Sequence, residues 1–240
     1  MSSTLPAAAT FPRARVPLAA AAAGVTFVVL SVLGIATVKN SPAAHAAPAE
    51  VLRYFRAQRT QILHNTVLLS LANGALIVFF AHLRTLLSRR SSPSALPTLA
   101  LVASVLLCAI GAATAVLPAA LAHYGTIDID PTTAVLVREI YFTGNAFSAM
   151  PAALAVISVG LAARKANALP NWLMPLSLAV GALELSASLT LIGAGAAAPD
   201  GALGTSALFG SLTMWVLILS ITLAVRHTPT ADTSAAGLES

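Results

Sequence analysis

The sequence predicts an all-α protein, a polytopic bundle of six transmembrane helices with a short amphipathic helix outside the membrane before the second span. Hydrophobic residues make up 58% of the 240 residues and charged residues only 9%, too few polar groups to cover a soluble globule. Six apolar runs approach the roughly 20 residues that a helix needs to cross a bilayer. Lys and Arg lie in short clusters between these runs, which is typical of topology signals and not of a nucleic-acid-binding face.

The six predicted spans form a single membrane domain, residues 17–225. Pro, Gly, Ser and Asn, which interrupt helices, punctuate the connections between them. Both ends, residues 1–16 and 226–240, are rich in Ala, Pro, Ser and Thr, a composition that predicts disordered cytoplasmic arms. The spans are Pro17–Val38, Ile62–Leu83, Thr98–Ala122, Ile140–Ala163, Trp172–Gly193 and Leu203–Val225.

The first span has an alternative interpretation as a secretory signal. Arg13 and Arg15 precede it, and Ala44-His45-Ala46 follows it in the pattern of a cleavage site. Its 22 residues exceed the about 7 to 15 apolar residues of a signal core, which favours an uncleaved helix. Cleavage would leave five spans in the same orientation.

The distribution of Lys and Arg predicts that both chain ends are cytoplasmic. Eight basic residues lie in the N-terminal arm, the second and fourth connections and the C-terminal tail, whereas the third and fifth connections contain none. We therefore expect a multi-pass protein of the cytoplasmic membrane. The first connection is predicted to lie outside although it carries Lys39, Arg53, Arg56 and Arg59.

That connection contains "PAEVLRYFRAQRTQIL", which predicts a surface helix leading into the second span. Pro48 suits the first helical position and Glu50 the positive end of the helix dipole. We expect Val51, Leu52 and Phe55 to enter the membrane interface while the arginines reach the headgroups. In the same way, Asp130 and Pro131 predict the start of the fourth helix, and Pro151 predicts a kink within it.

The order of these pieces resembles a family of six-helix integral membrane proteins that is common in actinobacteria and is catalogued as a domain of unknown function. The resemblance covers roughly residues 46–226 and is carried by "EVLRYFRAQRTQIL", "LRTLLSRR" and "LAARKANALPNWLMPLSLAVG". It implies the six-helix architecture and leaves the chemistry open.

Three predicted spans each carry one stripe of polar or small residues at helical spacing. Such stripes either line a cavity or simply allow membrane helices to pack closely and hydrogen-bond to one another. They are Arg59, Thr66, Ser70 and Asn73 on the second span, Arg138, Tyr141, Asn145 and Ser148 on the fourth, and Ser177, Gly181, Glu184 and Ser188 on the fifth.

The depth of these residues favours a cavity that opens to the outer side. At 1.5 Å per residue, Asn73 and Glu184 lie about 16 and 14 Å below the outer ends of their spans, so they are candidate hydrogen-bond partners. Arg59, His64, Arg138 and Glu139 would form the rim. Glu184 stands within an apolar run, where the cost of desolvating its charge would keep it protonated.

These residues support three hypotheses. In the first, the protein binds a lipophilic or amphipathic small molecule, with Arg59, His64, Ser70, Arg138, Glu139 and Ser188 as ligand-binding residues. In the second, a membrane-embedded enzyme resembling a terpene cyclase uses Glu184 as general acid with Asn73, Tyr141 and Asn145. Aromatic side chains would then stabilise a carbocation: Tyr141, Phe142, Phe147, Phe79, Phe80 and Trp215.

The third hypothesis is a proton-coupled transporter built from inverted repeats, because Asn73 and Glu184 lie on the middle span of each half. No spacing of His, Cys, Asp or Glu matches a metal site, and the sequence has no nucleotide-binding loop, so neither a metal nor a cofactor is expected. The single Cys108 excludes an intrachain disulfide. The expected partners are membrane lipid and the small molecule, with no nucleic acid, and the oligomeric state is left open.

Overall fold

The computed structural model describes residues 15–39, 41–42, 46–89, 94–124, 129–192 and 202–227, and within them the protein is entirely helical. This confirms the all-α fold class for the described part of the chain. The elements are α1 (Arg15–Thr37), α2 (Pro48–Ala57), α3 (Arg59–Ser88), α4 (Leu96–Tyr124), α5 (Pro131–Lys165), α6 (Leu173–Ser188) with a short 3-10 helix (Leu189–Ile192), and α7 (Ala202–His227).

Five of these elements are long and apolar enough to cross a membrane: α1, α3, α4, α5, and α6 together with the 3-10 helix. This supports the prediction of a membrane protein. Helix α7 has 26 residues, and its segment Gly210–Arg226 is also apolar. A sixth crossing, with both chain ends on one side, stays a prediction.

Several sequence predictions fall wholly or partly outside the described residues. They include most of both terminal arms, residues 1–14 and 228–240, and Ala44 and His45 of the candidate cleavage site. Helix α1 already begins at Arg15, and α7 ends only at His227, so helical structure extends two residues into each predicted arm.

The helix starts follow local sequence chemistry. Pro48 occupies the first turn of α2 and Glu50 lies in the same turn. Asp130 caps α5 as predicted, because its carboxylate accepts a hydrogen bond from the Thr132 backbone N–H at 3.3 Å. Helix α5 then continues through Pro151 as a single helix of 35 residues.

The apolar face of α2 packs on the bundle and does not enter the membrane interface as expected. Val51, Leu52 and Phe55 are buried and form a cluster with Ile62 of α3, Leu121 of α4 and Ala134 of α5. The reason is geometric: only Gln58 separates α2 from α3, so the chain folds α2 back across the neighbouring helix ends. Arg53 and Arg56 remain exposed.

The long helices form a closed ring in which α1, α3, α4, α5, α6 and α7 are successive neighbours and α7 returns to α1. Helix α5 is the most enclosed: 72% of its most apolar stretch is buried, against 28–33% in the other four candidate spans. Its buried residues between positions 146 and 163 are mostly Ala, Gly and Ser, which allow neighbouring helices to approach closely.

An aromatic cluster closes the bundle on the side of α3 and α7. Trp215 of α7 stacks on Phe80 with ring centroids 6.3 Å apart and meets the edge of Phe79. The indole Nε1–H donates a hydrogen bond to Ser177 Oγ of α6 at 3.0 Å. These contacts join α3, α6 and α7, and all three rings are fully buried.

The contact between α5 and α6 predicts a marked effect of Gly160→Ala. A Cβ atom at position 160 would lie 2.6 Å from Ser177 Cβ, which cannot move away without its backbone. We expect overpacking to lower the stability by about 1–3 kcal/mol, measured by thermal unfolding in detergent. Gly74→Ala is the matched control, because nothing lies within 4 Å of the added Cβ. Equal stability of the two variants would contradict the packing described.

The predicted orientation can be tested with single cysteines in a Cys108→Ala background. Arg53 of α2 and Arg164 near the end of α5 are exposed and lie at opposite ends of the bundle. We expect a membrane-impermeant maleimide to label Arg53→Cys on intact cells and to label Arg164→Cys only after permeabilisation. The opposite labelling pattern would show that the orientation is the reverse of the predicted one. Labelling of the Cys108→Ala protein without an added cysteine would make the comparison invalid.

Candidate functional site

A cavity of about 760 Å³, here called the large cavity, lies at the end of the bundle where α2 packs. Its walls come from α1, α2, α3, α4, α5 and α7 and are mostly aliphatic and aromatic. Polar side chains enter the lining at a few positions: Ser41, Tyr54, Asn65, Thr66, Arg138, Tyr141 and Thr213. The arrangement is typical of a ligand site, in which apolar walls surround a small number of polar groups.

A second space of about 80 Å³, the small cavity, adjoins the large cavity deeper in the bundle. Leu69, Ala115, Tyr141 and Thr213 line both spaces. Among the described residues no charged side chain lines the small cavity, but hydroxyl and carboxamide groups do: Ser31, Ser70, Asn73, Tyr141, Asn145, Ser148 and Thr213.

Arg138 is the one charged side chain that the described residues contribute to the lining of the large cavity. Only 6% of its side chain is exposed, and its Nη1 donates a hydrogen bond to Glu139 Oε1 at 2.9 Å. The guanidinium carbon also lies 5.3 Å from the centre of the Phe142 ring, within the range of a cation–π contact. Glu139 is half-exposed. The ion pair therefore links the buried guanidinium of Arg138 to a carboxylate at the protein surface.

Tyr54 brings α2 into the lining of the large cavity. Burial raises the pKa of its phenol above the ordinary value of 10.0, and the nearby Tyr141 raises it further, while a hydrogen bond with Ser41 acts in the opposite direction. The hydroxyl therefore remains protonated at neutral pH and can donate a hydrogen bond within the cavity.

Most residues of the predicted stripes on α3 and α5 line the cavities, and Arg59 is the exception. Arg138 and Tyr141 line the large cavity, and Tyr141, Asn145 and Ser148 line the small one. On α3, Ser70 and Asn73 reach the small cavity. The polar faces that the sequence predicts on these two helices therefore line the cavities, and their role as a ligand site stays a prediction.

The stripe on α6 has a different role. Glu184 is completely buried and lines neither cavity. Its Oε1 accepts a hydrogen bond from the Ser211 hydroxyl of α7, whereas its Oε2 has no hydrogen-bond partner among the described residues. The Ser188 hydroxyl donates to the Glu184 backbone carbonyl. Its carboxyl therefore pairs with α7, and not with Asn73 as the depth comparison had suggested.

The other members of the α6 stripe pack against neighbouring helices. Ser177 accepts the hydrogen bond from Trp215, and Gly181 lies directly against Ile157 of α5. For this stripe the helix-packing interpretation is therefore favoured over a ligand site.

Several predicted site residues lie away from both cavities. Arg59, His64 and Glu139 are exposed and line neither cavity, and Ser188 is buried beside Glu184. Of the six aromatic residues considered for carbocation stabilisation, Tyr141 and Phe142 line the large cavity. Phe79, Phe80 and Trp215 belong to the core, and Phe147 is 52% exposed.

Tyr54, Asn65 and Thr213 were missed as candidate site residues, although all three line the large cavity. A signal existed for Asn65, which lies eight residues before Asn73 and therefore close to the same face of α3. Tyr54 belongs to α2, and no local sequence pattern predicts that this helix packs on the bundle. Thr213 is a single hydroxyl residue without a polar stripe around it.

Comparison of the chain with protein-family models, with curated proteins and with solved structures finds no match. The resemblance to the six-helix family stays a prediction.

The role of Glu184 as a structural hydrogen-bond partner leads to a prediction. Glu184→Gln keeps an oxygen that can accept from Ser211, so we expect thermal stability in detergent to change little. Glu184→Ala removes the acceptor and leaves a buried gap, and we expect a loss of about 2–5 kcal/mol. If Gln were as destabilising as Ala, an ionisable group and not merely a hydrogen-bond acceptor would be required at this position.

Proposed function

We propose that this protein binds a lipophilic or amphipathic small molecule within the large cavity. The observation that carries the proposal is the cavity itself, about 760 Å³ with mostly apolar walls. Sites for small molecules typically enclose about 300–1,000 Å³ and are lined mainly by hydrophobic side chains with a few polar groups. Residues of six helices contribute to this lining.

The polar end of the cavity supports an amphipathic ligand. Arg138 and Tyr54 present N–H and O–H donors there, so the matching ligand group is a hydrogen-bond acceptor such as a carboxylate, a phosphate or a carbonyl. The pairing of Arg138 with Glu139 limits the net charge at this end. Recognition would then depend on directed hydrogen bonds more than on a strong electrostatic field.

The apolar side of the cavity favours entry from the lipid phase. Val32 and Ile35 of α1 and Met214 of α7 line the cavity, yet each remains about half-exposed, between 48% and 58%. The space therefore reaches the apolar surface of the bundle near α1 and α7. A molecule dissolved in the bilayer can enter there without passing through water.

The observations favour binding over the two alternatives from the sequence. Acid catalysis and proton-coupled transport were both assigned to Glu184, which lines neither cavity. The aromatic residues proposed to stabilise a carbocation are also mostly outside the large cavity. Neither alternative has an observation of its own in its favour.

The proposal predicts that Ala115→Phe displaces the bound molecule. Ala115 lines both cavities, and a phenyl ring there occupies the passage between them. The protein would be purified in mild detergent and extracted with organic solvent, and the retained compounds quantified by mass spectrometry. We expect the variant to retain at least about tenfold less than the wild type, equivalent to a loss of about 1.4 kcal/mol.

Ala113→Phe is the matched control, because Ala113 lies on the same helix, is exposed and lines neither cavity. It should retain the same compounds as the wild type. Equal retention by the two Phe variants, or no specific compound in the wild-type extract, would contradict the proposed function.

A further inference from the structure

The small cavity contains polar groups that are not simply part of a helix-packing contact. They come from α1, α3, α5 and α7, four separate helices that meet around one space. Among them Asn145 is only 9% exposed, and its Nδ2 makes no well-formed hydrogen bond to a described residue, although the Tyr141 hydroxyl lies near it. A buried donor without a partner is costly, so an acceptor is expected to occupy the adjoining space.

The serine hydroxyls of the small cavity complement this donor. Ser148 donates its proton to the Asn145 backbone carbonyl at 2.6 Å, and Ser70 donates to the Thr66 carbonyl at 2.7 Å. With these protons engaged, the two oxygens still carry lone pairs and can only accept a further hydrogen bond. The lining therefore combines an amide donor with hydroxyl acceptors.

This combination of a donor and acceptors favours a neutral oxygen-containing group as the occupant of the small cavity. A hydroxyl group can accept from Asn145 and donate to a serine oxygen, and a carbonyl group can accept from Asn145. An ionised group is disfavoured, because no charged side chain of the described part of the chain lines the small cavity to offset its desolvation. A volume of about 80 Å³ accommodates such a group and not the whole ligand.

The position of the small cavity relative to Arg138 defines the spacing of two polar groups in one ligand. Arg138 and Asn145 are seven residues apart on α5, or about 10.5 Å along the helix axis. Tyr141 lies between them and lines both cavities. The two polar positions thus belong to one continuous path.

We propose that the small cavity is a subsite for a neutral hydroxyl or carbonyl oxygen carried on the chain of an amphipathic molecule whose headgroup lies at Arg138. This inference rests on the proposed function and specifies the class of ligand. The matching molecule is an oxygenated lipid, with its second polar group roughly 10 Å from the headgroup.

The test compares two fatty acids that differ only by a hydroxyl group near the middle of the chain, stearate and a mid-chain hydroxystearate. Each is titrated into the purified protein in detergent micelles, and the affinity is measured by calorimetry. We expect the wild type to bind hydroxystearate about tenfold more tightly, because the hydroxyl satisfies a buried amide. Asn145→Leu, which has a similar volume and no amide, should abolish this preference.

Ser158→Ala is the control, since Ser158 is a buried residue of α5 that lines neither cavity and the variant should keep the preference. Ser148→Ala should reduce it and replaces Asn145→Leu if that variant does not fold. Equal affinity of the wild type for the two fatty acids, or a preference that survives Asn145→Leu, would overturn the subsite and leave water as its occupant. Binding of neither fatty acid would instead contradict the proposed function.

Discussion

The close packing of small residues along α5 is the constraint on which the rest of the structure depends. In a membrane, apolar side chains gain little by leaving lipid for a protein interior, so helices associate mainly where small residues allow close van der Waals contact. From Ala149 to Ala163, the buried face of α5 is largely Ala, Gly and Ser. Helices α4 and α6 pack on this helix from two sides, and α5 becomes the most enclosed member of the ring.

The same helix also determines where the bundle is open. Towards its N-terminal end, α5 carries Arg138, Tyr141, Phe142 and Asn145, and the α5 residues that line the two cavities all lie between positions 138 and 148. Large and polar side chains there prevent the close approach that Ala and Gly permit further along. The change in side-chain size along one helix thus separates a packed half from a half that contains the candidate site.

The buried polar residues of the bundle fall into two groups. Glu184 with Ser211, and Trp215 with Ser177, form hydrogen bonds that specify how the apolar helices α6 and α7 meet, although Glu184 Oε2 has no hydrogen-bond partner among the described residues. Asn145, in contrast, lines the small cavity, and its Nδ2 has no hydrogen-bond partner among the described residues. The first set accounts for the architecture, whereas the second points to a molecule that is not part of the chain.

The sequence by itself determined the helical class, five of the six predicted spans, the start of α5 at Asp130 and the existence of α2, because these depend on local hydropathy and capping. It also identified the cavity-facing sides of α3 and α5, since polar residues at helical spacing mark a face that avoids lipid. Only the tertiary structure decided that Glu184 pairs with Ser211, that Phe79, Phe80 and Trp215 form the core, and that α2 docks on the bundle. The physical reason is that lipid and protein interior are equally apolar, so hydropathy cannot specify which apolar face meets which neighbour.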